Sequence, residues 1–219
     1  MKLRAALAPQ VVPDSGSNLA PLASPPRVSS DEDLSSKESE QGKPLQSSED
    51  LAVAAQLRDL IELKLQRYVP RQQDRVGVEA FYRKRDFAPI WIGAGKPLPR
   101  AQQAADILRG ASADGLDPND YPTPRFADAD PTRLAAEELT LTSSIAHFVR
   151  HASTGRVAFT RVSGSIYFDL KSPNLEQALE RIANTEDVAA TLDSFHPQQP
   201  GYTALKAELA SARRSLDTE

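Results

Sequence analysis

The sequence predicts a mainly α fold: a single compact multi-helix domain, with at most a short extended segment or hairpin, preceded by a disordered leader. Three observations point there. Apolar residues recur at three- and four-residue steps in several segments, above all from about Thr132 to Ser153. Helix-start residues, serine, asparagine or proline, stand just ahead of those segments. The first 48 residues contain no Phe, Tyr or Trp and are rich in Ser, Pro and acids, so they lack the apolar surface needed to offset their ordering entropy. The division read from this is a leader over 1–48, a helical domain over 49–214 and a tail over 215–219.

At Ser47-Ser48-Glu49-Asp50 a serine cap is followed by acids that complement the exposed amides of a helix start. Ala54, Leu57, Ile61, Leu65 and Tyr68 then form a stripe that Leu60 and Leu63 broaden, predicting a helix packed on two sides. Pro70 ends it. A second helix is predicted from about Gln72 to Lys84 with Val76, Ala80 and Phe81 inward, followed by the extended apolar step Phe87-Ala88-Pro89-Ile90-Trp91-Ile92. Pro99 opens a third helix whose stripe is Ala101, Ala104, Ala105 and Leu108, and Gly115 is its predicted left-handed end.

The long helix from Thr132 to Ser153 lines up Leu134, Leu141, Ile145, Phe148 and Ala152, and Gly155 stops it. From Arg156 to Leu170 the pattern, centred on Ser163-Gly164-Ser165, suggests an extended segment or loose hairpin. Asn174 caps a helix carrying Leu175, Ala178, Leu179 and Ile182. A short helix from Glu186 to Leu192 and a last one from Pro200 to Arg214 complete the domain.

Composition narrows function. No run approaches the roughly 20 apolar residues of a membrane-spanning helix. Met1–Ala8 carries two basic residues but too short an apolar stretch for a signal-peptide core. The net charge of -4, with acids and bases intermixed, supplies no long-range field to gather nucleic acid or an acidic membrane. There are no cysteines, which excludes disulfides, thiolate metal sites and a thiol nucleophile.

Four groups of residues invite chemical readings. His147 and His151, four apart on the long helix, could offer two imidazoles to one metal ion. HFVRH lacks the glutamate of a zinc protease and shows no third ligand, and partly exposed surface histidines account for it. Asp114, Asp117 and Asp120 in ADGLDPNDY are spaced by three, unlike a calcium loop, and read as caps and turn formers. A carboxylate pair for a muramidase is a further reading of the acids, though it singles out no two of them. Arg67, Arg71, Arg75, Arg83, Lys84 and Arg85 accompany Tyr68, Phe81 and Tyr82, as a nucleic-acid groove would. Asp74, Glu79 and Asp86 dilute that charge, and a solvated helix surface with inward aromatics fits better. Trp91 beside Pro89 reads as core before it reads as a sugar platform. No glycine-rich phosphate loop and no Gly-x-Ser-x-Gly elbow occurs. No catalytic, cofactor-binding or metal residue is assigned.

The signatures FYRKRDFAPIW, ADGLDPNDY, LTSSIAHFVRHASTGRV and FHPQQPGYTALKAEL, in this order, resemble the scaffold domain of the large Gram-negative murein L,D-transpeptidases. The resemblance covers roughly Leu51 to Ser211. Phe159 departs from it, standing near where the family often has proline after the Gly-Arg pair. It implies a periplasmic or cell-envelope location, a cysteine-dependent acyl transfer that forms 3-3 cross-links, and a separate C-terminal catalytic domain. No catalytic residue of that family maps onto this chain. The reading is a non-catalytic scaffold from a truncated or split family member, whose partners are peptidoglycan or a transpeptidase catalytic domain. A stand-alone envelope interaction protein is the alternative, and the muramidase the second.

Overall fold

The computed structural model describes residues 47–157 and 171–216. The leader up to residue 46 and the extended segment expected around Ser163-Gly164-Ser165, with Phe159, lie outside the described residues. Within them the chain is mainly helical, with seven α-helices and one two-stranded hairpin.

Helix α1 spans Ser48–Tyr68. The Ser47 hydroxyl accepts from the Asp50 amide at 3.1 Å, and the Asp50 carboxylate accepts from the Ser47 amide at 3.3 Å. This reciprocal box satisfies two amides that a helix start leaves bare. Val53, Ala54, Leu57, Leu60, Ile61 and Leu65 are buried, mainly against the long helix. Leu63 departs from expectation: it is 69% exposed, because it lies across the helix from the Leu57/Ile61/Leu65 stripe.

Helix α2 covers Gln72–Lys84 and buries Asp74, Val78, Phe81 and Tyr82. The expected inward Val76 is instead 65% exposed. The buried face follows a four-three-one step from Asp74, whose carboxylate meets the Arg150 guanidinium at 3.2 Å, and two residues on from Asp74 the helix has turned to solvent. A Cβ at Gly77 would lie 2.7 Å from Leu175 Cβ, so glycine is what lets α2 approach the fifth helix. At the end of α2 the Phe87 amide bonds to the Tyr82 carbonyl at 2.8 Å and the Asp86 amide to the Arg83 carbonyl at 3.2 Å. This is a Schellman closure, with left-handed Asp86 (φ 53) at its turning point.

The chain then enters the core at Ile90 and Trp91 and forms the antiparallel pair β1, Ile92–Gly93, and β2, Lys96–Pro97, with Ile92 opposite Pro97. Helix α3, Pro99–Arg109, buries Ala101, Ala104, Ala105 and Leu108 as expected. It stops at Gly110, and left-handed Gly115 (φ 73) closes the separate 3-10 turn Ala111–Asp114. The expected glycine cap is therefore real but belongs to the next turn.

Helix α4, Pro131–Thr154, is capped by Asp130 and is buried around all but the half-open face of Ala136, Thr140, Ser143, His147 and Arg150, so it forms the axis of the domain. Helix α5, Leu175–Asn184, starts at the Asn174 cap, and α6, Val188–Asp193, at the Asp187 cap. Arg100 donates from α3 to the carbonyls of Ile182, Ala183 and Thr185 at 2.7 to 2.8 Å, supplying a cationic donor to carbonyls that lack one at the α5 end. Helix α7, Pro200–Leu216, has no buried residue. No helix among the described residues is long and apolar enough to cross a membrane.

Candidate functional site

The residues that define the sequence signatures collect in two places. The first is inside the domain. Glu138 is fully buried on α4, in the slot between Leu134 and Leu141 of the apolar stripe. Its carboxylate accepts from the Tyr82 hydroxyl at 2.8 Å, the Ile90 amide at 2.7 Å and the Trp91 amide at 3.0 Å. One turn along, the Thr142 hydroxyl lies 2.7 Å from the Tyr82 oxygen and accepts from the Trp91 indole at 2.9 Å. Burial pushes the Glu138 carboxyl up to about 7, against its three donors and the more distant Arg85 charge. Burial, with the Glu138 charge behind it, pushes the Tyr82 phenol up as well. Glu138 thus pins the turn after α2 to the axis of the fold, a structural task.

The second place is an open cleft of about 940 Å3 at the C-terminal end of α4. Three signatures meet there: Asp114 to Leu116, His151 to Val157, and Phe195 to Tyr202. Asp114 is its polar centre. Lys206 Nζ lies 2.5 Å from Asp114 Oδ1 and His196 Nε2 lies 3.5 Å from Oδ2. The Tyr202 hydroxyl contacts His196 Nδ1 at 2.9 Å. Burial lowers the His196 imidazole and raises the Tyr202 phenol to about 12. These contacts hold the first half of α7 to the 3-10 turn, and Arg213 donates to the Ser112 carbonyl farther along.

The three aspartates expected to serve turns are also ion-paired. Asp117 accepts from the Asn119 amide at 3.0 Å. Arg156 then bonds Asp120 at 2.6 Å and Asp117 at 3.4 Å, and the Arg156 hydrogen bond is what holds the Asp120 carboxyl below its ordinary range. With Asp114 on Lys206, each acid of this segment faces a cation.

His147 is half-buried and His151 buried, so the pair sits deeper than surface histidines. Burial lowers both imidazoles, His151 to about 4, with His147 adding to the effect on His151. The cationic stretch does not form a single groove with its aromatics, since Phe81 and Tyr82 are in the core. Arg83 pairs with Glu79, and Lys84 with Glu180 on α5. Trp91 is fully buried, as read from its apolar run. Sequence reasoning missed Glu138, Thr142, His196 and Lys206. For Glu138 a signal was present, an acid occupying one step of an otherwise apolar helical stripe.

A family model described as Scaffold domain matches residues 77–209, from Gly77 in α2 to Leu209 in α7 and more than half of the 219 residues. No curated protein and no solved structure matches the chain.

Proposed function

Because this chain belongs to the Scaffold domain family, we propose that it serves peptidoglycan L,D-transpeptidases as a non-catalytic module. It holds and orients a catalytic domain at the cell wall, in the periplasm or envelope. The sequence has no cysteine, so in this reading the acyl-transferring thiolate belongs to a catalytic domain outside it.

One observation carries the reading. Helix α7 is clasped to the domain by Tyr202, Lys206 and Arg213 on one face. Leu205 and Leu216 stand beside that face, 69% and 73% exposed. Apolar side chains in register on an exposed helix suit attachment to another protein surface. Asp114, Asp117 and Asp120 lend the muramidase alternative no support, since they are held by Lys206 and Arg156.

The test is co-sedimentation of the full chain with purified peptidoglycan, alongside a binding assay against an isolated L,D-transpeptidase catalytic domain. Association with either, lost on Leu205→Glu, is the expected outcome. Failure to bind both removes the functional content of the reading, and peptidoglycan turnover by the chain alone would replace it with an enzyme.

A further inference from the structure

His147 and His151 point their Nε2 atoms at each other across one turn of α4, 3.1 Å apart. As a hydrogen bond this contact is poor. A straight N–H···N bond of that length would hold the ring centres roughly 5 Å apart or more, whereas they are 4.2 Å apart with planes inclined at 56°. The helix, not a well-aimed proton, brings the two nitrogens together.

The opposite edge of each ring is already occupied. His151 Nδ1 is 2.8 Å from the Tyr121 hydroxyl, and the Asp120 backbone carbonyl accepts from the His147 ring. With Nε2 of His147 facing its neighbour, the nitrogen left for that carbonyl is Nδ1. If the Tyr121 hydroxyl turns to accept, both rings carry their proton on Nδ1, and both Nε2 lone pairs are free in the space between. An imidazole fixed at one nitrogen by an oxygen acceptor and open at the other is how histidine is prepared to ligate metal. Two nitrogens 3.1 Å apart suit two ligands each at ~2.1 Å from one ion, and the ring centres open from 4.2 Å to about 4.8 Å as both lone pairs turn to it.

We propose that His147 and His151 form a two-imidazole site for a divalent transition-metal ion of the copper or zinc class. No third His, Cys, Asp or Glu is gathered with them among the described residues, so the remaining positions fall to water or to a partner's side chain. That composition favours imidazole-seeking ions in the order that puts Cu2+ first. The neighbouring cations are offset, Arg150 by Asp74 and Arg156 by Asp120. His147 opens onto a cleft of about 370 Å3 that Asp120 also lines, and His151 onto the separate cleft at the end of α4.

The full chain is titrated with Cu2+ at neutral pH against a weak competing chelator, with electron paramagnetic resonance of the product. One ion per chain with imidazole-nitrogen coupling is expected. His147→Ala weakens binding at least about tenfold, and Tyr121→Phe, which keeps both imidazoles, weakens it by a smaller factor. Half-buried His147 is the safer position to change, and His147→Gln with its circular dichroism separates loss of ligand from loss of fold. Wild-type affinity in both His147 variants overturns the site, as does loss of binding on His196→Ala in its place or no binding at all.

Discussion

Glu138 and Asp114 are both carboxylates with a tyrosine beside them, yet they work in opposite regimes. Glu138 is wholly inside and is met by neutral donors, two amides and a phenol. Asp114, with 14% of its side chain exposed, is met by Lys206 at the surface. In the core the donors fix direction while burial raises the proton affinity of the acid. At the α7 clasp, charge is matched by charge in a place that water screens, so it adds less to stability. The contrast separates what holds the fold from what leaves a surface available.

The largest effect expected is from Glu138→Ala. It strands the Ile90 and Trp91 amides in the core and leaves the Tyr82 hydroxyl with Thr142 alone, costing on the order of 4 kcal/mol, which urea unfolding would measure. A loss under about 1 kcal/mol would mean the hub is not what pins the turn after α2. Next is Gly77→Ala, where the new Cβ meets Leu175 Cβ at 2.7 Å. Prying α2 from α5 costs ~1–3 kcal/mol, visible as a lowered Tm.

The pH dependence divides the same two regions. Glu138 rises from 4.5 to about 7 in the folded state, so the folded chain holds the extra proton. Its contribution is fully present below pH 4.5 and is lost as pH rises through 7. His151 falls from 6.5 to about 4, so the unfolded chain holds the extra proton there. Its contribution is full above pH 6.5 and is lost as pH falls through 4. Glu138→Gln should flatten the alkaline limb and His151→Gln the acid limb, each read from unfolding free energies at pH 4, 5.5 and 7.5. A variant that leaves its own limb unchanged shows that its group does not titrate as described.

At the clasp, Lys206→Met should cost at most about 1 kcal/mol, since the lysine is partly exposed. Smallest of all on stability is Leu205→Glu, within about 0.5 kcal/mol because the side chain already faces water. A large loss from Leu205→Glu would show that α7 is part of the core.

Helix positions were legible where capping chemistry and apolar period agreed. Ser47, Pro99, Asn174 and Pro200 mark their starts, and α4 runs Pro131–Thr154, one residue longer at each end than its stripe suggests. Facing was less legible. Val76 and Leu63 look like core by type, but a helix with several apolar sides is oriented by its neighbours, here the Asp74–Arg150 pair and the α1 packing on α4. The cleft was hidden for a related reason. His196 and Lys206 are unremarkable in line, and only the return of α7 to the 3-10 turn brings them to Asp114.

By itself the sequence determined the mainly helical class, the caps and the order of elements, because these depend on residues within a few positions of one another. Its signatures also led to a scaffold domain, the family whose model matches residues 77–209. Only the tertiary structure decided that Glu138 is a buried hub, that the three aspartates are ion-paired, that α7 keeps an open apolar flank, and that two histidines share one gap. Those outcomes depend on partners up to 101 residues apart, as Ser112 and Arg213 are, and on burial, which sets the cost of a charge and is a property of the packed whole.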